Sequence, residues 1–228
     1  MKPLDSVAII VQARLNSQRV PQKMIRPFYG TTLFDLVLEK IKEALPSKQD
    51  NIWASVYEPE LVDIAKKQGV NIFNRSRASA NNDNSLQMIY EWHDKLPENY
   101  KYVMLVSGCN PLLEPKTIRD FYNTFNMQEE ENLFAVMEKK QYYWNKEGSL
   151  VTPWPEGQTI MNTKAVEPTY EAAHVLYASR LDLIKQDKFM GDFEAPGGIK
   201  LFQMPELEAF DIDYEWQFKV AEKLFETL

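Results

Sequence analysis

Apolar positions fall into short runs and helical stripes that alternate along most of the chain. Residues 7–11 are one continuous apolar run, the pattern of a strand buried on both faces. Leu33, Phe34, Val37, Leu38, Ile41 and Leu45 then recur at helical spacing, and Thr32 with Asp35 predicts a cap at that helix's start. Residues 52–57 predict a second strand. Pro59 suits the first turn of a helix with Leu61, Ile64 and Ala65 on one face. Residues 70–73 read as a third strand, and Leu86, Ile89, Tyr90 and His93 as the stripe of another helix. A strand at 102–106, a helix at 115–125 and a strand at 134–137 follow. The alternation predicts an α/β fold, with residues 1–228 forming a single three-layer domain around a mainly parallel central sheet with right-handed crossovers.

The pattern breaks after residue 138, and an excursion from the sheet is expected around 138–174. It carries Tyr142, Tyr143, Trp144 and Trp154 among prolines and glycines. A lid, an irregular part of the sheet and an oligomer contact all fit this composition. Alternation resumes with strands at 175–178 and 200–204. A last short strand is expected at 210–213, before a helix over 214–228 with Phe218, Ala221 and Phe225 on one side.

Composition narrows the function classes. The 228 residues include a single cysteine, Cys109, which excludes an internal disulfide and a cysteine-rich metal site. No apolar run approaches the roughly 20 residues of a membrane helix, so no membrane contact is expected. The opening residues lead straight into a strand with no signal-peptide pattern, which makes the cytoplasm the expected location. The formal net charge of −7 argues against sequence-independent nucleic-acid binding. Any polyanionic ligand must then be met by a local cluster of cations.

One such cluster follows the first strand. The segment Gln12-Ala-Arg-Leu-Asn-Ser-Gln-Arg-Val-Pro-Gln-Lys23 holds Arg14, Arg19 and Lys23, with Ser17 as a hydroxyl donor and Pro21 stiffening the turn. Ligands in open α/β sheets sit beyond the carboxyl ends of strands, where this loop is expected. The loop has no glycine, so it is neither a dinucleotide fingerprint nor a Walker loop. Guanidinium forks and an ammonium suit phosphate oxygens. An ordinary solvated loop fits the same three cations.

A second cluster lies near the C-terminus, in Phe210-Asp-Ile-Asp213. In a strand, residues two apart point to one side, so Asp211 and Asp213 would aim two carboxylates at one point. Mg²⁺ takes one or two carboxylates and completes its shell with substrate phosphates and water. A helix cap also accounts for Asp213, but not for Asp211.

The string A-R-x-x-S-x-R-x-P-x-K behind an apolar strand resembles the signature of the acylneuraminate cytidylyltransferase family and its spore-coat-polysaccharide and Kdo-activating relatives. That resemblance implies a nucleotide-diphospho-sugar transferase-like fold. It also implies transfer of CMP from CTP to an acidic sugar of ulosonic or sialic type, with Mg²⁺ as cofactor and a homodimer as the working form. The nucleotide-binding roles fall on Ala13, Arg14, Ser17, Arg19 and Lys23. Gly69-Val-Asn-Ile-Phe-Asn-Arg75 resembles the strand leading to a further nucleotide-binding arginine, Arg75. Asp83, Ser85 and Ser107 resemble positions near base and ribose. The Kdo-activating branch carries a metal-binding aspartate where Cys109 stands here. His174-Val-Leu-Tyr177 resembles the strand that lines the sugar pocket, which makes His174 and Tyr177 the acceptor candidates. The ending Asp211-Ile-Asp213 resembles the family's I-D-I-D metal motif. By resemblance Arg14, Lys23 and Asp211 are the catalytic candidates and Asp211 with Asp213 the metal ligands. A glycosyltransferase using a nucleotide sugar, and a non-catalytic nucleotide-binding relative, are the alternative functions.

Overall fold

The computed structural model describes residues 2–3, 5–81 and 84–227. Among the described residues nine strands and seven α-helices follow one another: β1 (Val7–Gln12), β2 (Pro27–Phe28), β3 (Thr31–Thr32), α1 (Leu33–Ala44), β4 (Ile52–Val56), α2 (Pro59–Gln68), β5 (Asn71–Asn74), α3 (Arg77–Ala80), α4 (Leu86–Ile89), β6 (Tyr102–Val106), α5 (Pro115–Met127), β7 (Asn132–Lys139), β8 (Thr169–Arg180), α6 (Asp182–Lys185), β9 (Leu201–Gln203) and α7 (Glu215–Phe225). Seven strands form one sheet in the order β5-β4-β1-β6-β8-β7-β9, and β2 and β3 form a separate small ribbon. Four of the six pairings in the large sheet are parallel, and β8 runs antiparallel to both its neighbours. The expected mainly parallel α/β sheet is present.

β1 lies inside the sheet between β4 and β6, which explains its apolar run. Its side chains alternate between two cores. Val7, Ile9 and Val11 pack with α1, α2, α5 and α7, whereas Ala8 and Ile10 face Trp92, Val103 and Leu105 on the other side. That second face is covered by single helical turns rather than by long helices. The cap at α1 forms as expected: the Thr32 hydroxyl accepts from the Asp35 amide at 3.1 Å.

Three expectations need correction. The stripe at 86–93 is broken, with α4 ending at Ile89 and a 3₁₀ turn over Glu91–Asp94. The buried anchor there is Trp92, whose indole N–H donates to Gln12 Oε1 at 2.9 Å; this draws the chain toward the end of β1. Residues 210–213 form no strand. Pro205 opens a 3₁₀ turn over Glu206–Ala209 that carries the chain off the sheet. The Ile212 amide then donates to Cys109 O, in the loop after β6, instead of entering a ladder. The strand expected at 175–178 is the end of a twelve-residue β8 with a bulge in its middle. Between the β7 pairings of Phe134 and Val136, four β8 residues oppose the single Ala135.

Residues 140–168 leave the sheet between β7 and β8 and turn around Tyr142. This buried ring packs on Trp154 at 5.5 Å and Trp144 at 6.3 Å. Among the described residues, no helix is long and apolar enough to cross a membrane.

Candidate active site

A cleft of about 590 Å³ opens at the carboxyl end of β1. Its wall is the loop that follows the strand. Ala13 continues β1 and donates to Ser55 O at 3.1 Å, and the Leu15 amide donates to Glu58 Oε1 at 2.9 Å. The loop returns through Gln22, whose φ of 54° turns the chain without a glycine. Those two bonds hold the entry of this glycine-free loop, and the Ile25 and Arg26 amides close its return, both donating to Gln22 O at 3.0 Å. From the other side, Gly108 brings the loop after β6 against Met24; a Cβ at Gly108 would stand 2.6 Å from Met24 Cε.

Ala13, Arg14, Ser17, Arg19, Lys23, Cys109 and Asp213 all line the cleft. Five further residues complete the lining, Met24 and the amides Gln12, Asn16, Gln18 and Asn81, and none of them was a sequence candidate. Asn16 Nδ2 donates to Asn81 Oδ1 at 3.1 Å, linking the loop to the end of α3. Their signal was position alone, since amides carry no charge pattern.

The two distant clusters meet here. Arg19 Nη2 donates to Asp213 Oδ1 at 2.7 Å, and its guanidinium lies 5.1 Å from the Tyr214 ring centre. Lys23 Nζ donates to Ile212 O at 2.6 Å and stands 3.8 Å from Asp213 Oδ1. Arg14 Nη1 donates to Ala80 O at 3.2 Å, which keeps its charge at the rim. Three cations thus face a carboxylate segment within one concavity of an acidic chain. Asp213 does not cap α7; Tyr214 holds that position, and Gln217 Oε1 accepts from the amides of both Asp213 and Tyr214.

Asp211 is half-buried, and its Oδ1 is buried without a hydrogen-bond partner. Burial raises its pKa, Lys23 pulls it down, and Asp213 adds to the rise. Cys109 faces the same charges. Burial pushes its thiol up despite Lys23, so it is a poor nucleophile.

The remaining candidates lie around the cleft rather than in its lining. Arg75 is buried behind the loop. Its guanidinium donates to Ser79 Oγ at 3.1 Å and Ser79 O at 2.8 Å, with longer contacts to Ile89 O and Ala13 O. Burial and then the nearby Arg14 push its pKa down to about 10. The geometry makes it a brace for Ala13 and the 77–81 turn. Ser85 caps α4 by accepting from the Met88 amide, and the Ser107 hydroxyl accepts from the Cys109 amide. Asp83 lies outside the described residues. Asn110 is turned from the cleft, with Nδ2 donating to Ala209 O at 3.1 Å.

His174 sits in the β8 bulge with φ 56°, a left-handed conformation uncommon outside glycine. Its Nδ1 lies 2.7 Å from the Tyr177 hydroxyl. Burial raises the Tyr177 pKa, with Tyr90 and Asp211 adding to the rise, and the His174 charge lowers that of Asp211. Asp211 is thus within electrostatic reach of the pair, and neither His174 nor Tyr177 lines the cation cleft.

Comparison with known proteins points the same way. N-acylneuraminate cytidylyltransferase of Oncorhynchus mykiss is 27% identical over 151 residues, 64% of this chain and 34% of that protein, so the chain spans about a third of its relative's length. A solved structure of CMP:2-keto-3-deoxy-manno-octonic acid synthetase complexed with CTP shares the fold, with a TM-score of 0.66 and 13% identity over 97% of this chain and 98% of that one. The 4-diphosphocytidyl-2C-methyl-D-erythritol synthase of Anaerococcus prevotii does so too, with a TM-score of 0.68 and 12% identity over 96% and 98%. A cytidylyltransferase family model matches residues 8–227, nearly the whole chain, and the chain belongs to the cytidylyltransferase family.

Proposed function

We propose that this chain transfers CMP from CTP to the hydroxyl of an acidic sugar of ulosonic or sialic type, releasing pyrophosphate. The observation that carries this reading is the meeting of Arg19 and Lys23 with Asp213 and the Ile212 carbonyl, beside Arg14, in one cleft. The volume suits a nucleotide, and sites of this size bind small molecules. The sugar hydroxyl attacks the α-phosphorus in line, a new P–O bond forms, and the bond to the departing pyrophosphate breaks. Such a transfer depends on positioning and on charge at the leaving oxygens. Arg14, Arg19 and Lys23 hold the β- and γ-phosphates and meet the charge that develops there. His174, held by Tyr177, offers its second ring nitrogen to the acceptor beside Asp211.

The donor set fits Mg²⁺. Asp211 Oδ1 is a buried oxygen without a partner, and two carboxylates are this ion's usual share of protein ligands. Among the described residues no group of three or more His, Cys, Asp or Glu side chains could hold a metal, so the phosphates themselves must complete the shell. Asp211 and Asp213 are the residues that would hold the ion. Bound there, it supplies charge neutralisation at the phosphate oxygens.

A pyrophosphate-release assay with CTP, Mg²⁺ and a panel of sugar acids tests the reading, with a methylerythritol-type acceptor as comparison. Release with a sugar acid is the expected result. Release with the erythritol-type acceptor alone replaces the acceptor class. Tight CTP binding without turnover over the whole panel points to a non-catalytic relative, and sugar transfer from a supplied nucleotide sugar points to a glycosyltransferase.

The working form in this reading is a homodimer. Trp144, Val151, Trp154, Ile160 and Met161 are exposed on the 140–168 excursion, and apolar side chains of this kind are what a protein contact covers. Sedimentation should give a dimer that Trp154→Glu converts to monomer; a monomeric wild type at micromolar concentration rejects this interface.

A further inference from the structure

Resting on that functional reading, we propose that Arg26 and Glu215 form the tether that holds the carboxylate segment in place once nucleotide is bound. The segment from Asp211 to Tyr214 belongs to no sheet; the Ile212 amide and buried side chain hold it to the loop after β6, and Gln217 holds the Asp213 and Tyr214 amides, while side chains fix it against the first loop. Arg19 and Lys23 do so, chiefly through Asp213 and the Ile212 carbonyl. Both are groups that a triphosphate recruits. As phosphate oxygens take these donors, the contacts weaken at the moment when Asp211 and Asp213 must hold their positions.

Arg26 offers a third contact of a different kind. Its Nη1 and Nη2 donate to the two oxygens of Glu215 at 2.8 and 2.7 Å, and its guanidinium lies 4.3 Å from the Phe218 ring centre. Phe218 is fully buried in the main core, so this end of the tether is anchored. Neither Arg26 nor Glu215 lines the cleft, and a ligand there leaves the pair intact. A bidentate fork also fixes orientation, which a single contact does not. Arg26 and Glu215 are thus positioning residues, acting through Asp211 and Asp213.

The test is amide hydrogen exchange over residues 211–214 in the full chain, with and without Mg²⁺ and CTP. Arg26→Glu, Glu215→Arg and the double charge swap are compared with wild type. Without nucleotide, Arg26→Glu should exchange within about twofold of wild type, because Arg19 and Lys23 still hold the segment. With Mg²⁺ and CTP it should exchange about three- to fivefold faster, the factor an exposed ion pair can supply, and the double swap should recover most of the protection. Equal exchange in loaded Arg26→Glu and wild type overturns the proposal. So does a full increase already present without nucleotide, which marks an ordinary structural contact. If wild type binds no CTP, the functional reading fails on its own. The tether is then judged without nucleotide in an Arg19→Ala/Lys23→Ala background: added Arg26→Glu must speed exchange over 211–214 there, and no change overturns it.

Discussion

Asp211→Asn should raise the melting temperature of the ligand-free protein at neutral pH while cutting pyrophosphate release about a hundredfold or more, the scale of removing one electrostatic contact to a transferring group. The two effects share a cause. Asp211 carries a buried oxygen with no donor, and burial outweighs Lys23 to raise its pKa. A carboxyl raised in the folded state stabilises the fold only while protonated. That contribution is complete below the unfolded pKa and is lost as pH rises through the folded one. At neutral pH the ionised group therefore opposes folding, and the neutral amide removes the opposition. The gain should be about 1 kcal/mol, the usual scale for neutralising a functional-site residue, or about 2–4 °C in a chain of this size. Melts of both proteins at neutral pH and in the carboxylate range check the sign: the difference should shrink as the medium becomes acidic. A lower melting temperature together with retained turnover would make Asp211 an ordinary structural carboxylate.

Lys23→Ala should also abolish most activity, by about a hundred- to a thousandfold in kcat/KM, since it removes a cation aimed at the leaving phosphates. Its effect on stability should have the opposite sign. Lys23 is only 13% exposed in its side chain and donates to the Ile212 carbonyl. Truncation leaves that carbonyl without its donor and leaves Asp213 to Arg19 alone. A loss of about 1–2 kcal/mol follows from the lost bond. Steady-state kinetics and thermal melts on the two variants therefore separate the two ends of the site. Both are inactive, one melts higher than wild type and the other lower. Turnover of Lys23→Ala within threefold of wild type would remove the triphosphate role from the loop.

The 7–11 run, the α1 stripe with its Thr32 cap and the Pro59 and Pro115 helix starts were legible because each depends on neighbours a few residues away. The cation cluster that lines the cleft was legible for the same reason: its residues lie within one short segment behind one strand. Strand 210–213 was misread because its alternation of apolar and acidic residues satisfies a strand pattern equally well. What the alternation serves is a coil in which Ile212 is buried in the core, Asp213 lines the cleft, and Asp211 lies half-buried with one enclosed oxygen. The stripe at 86–93 failed because the buried residue is Trp92, which answers to Gln12 on a distant strand. Resemblance marked Arg75 as a nucleotide-binding cation, but its burial and its bonds to Ser79 and Ile89 O depend on the fold and were not legible.

The sequence by itself determined the alternating α/β order, the central place of β1 and the clustering of three cations behind it, all of which rest on residues close together in the chain. Only the tertiary structure decided that this loop closes on residues 211–215. The bonds that join them, Arg19 to Asp213, Lys23 to Ile212 and Arg26 to Glu215, span 189 to 194 residues of chain. Contacts that remote leave no periodic trace. They form because β1 and the turn after β9 deliver their ends to the same edge of one sheet, where opposite charges meet in a partly dry cleft.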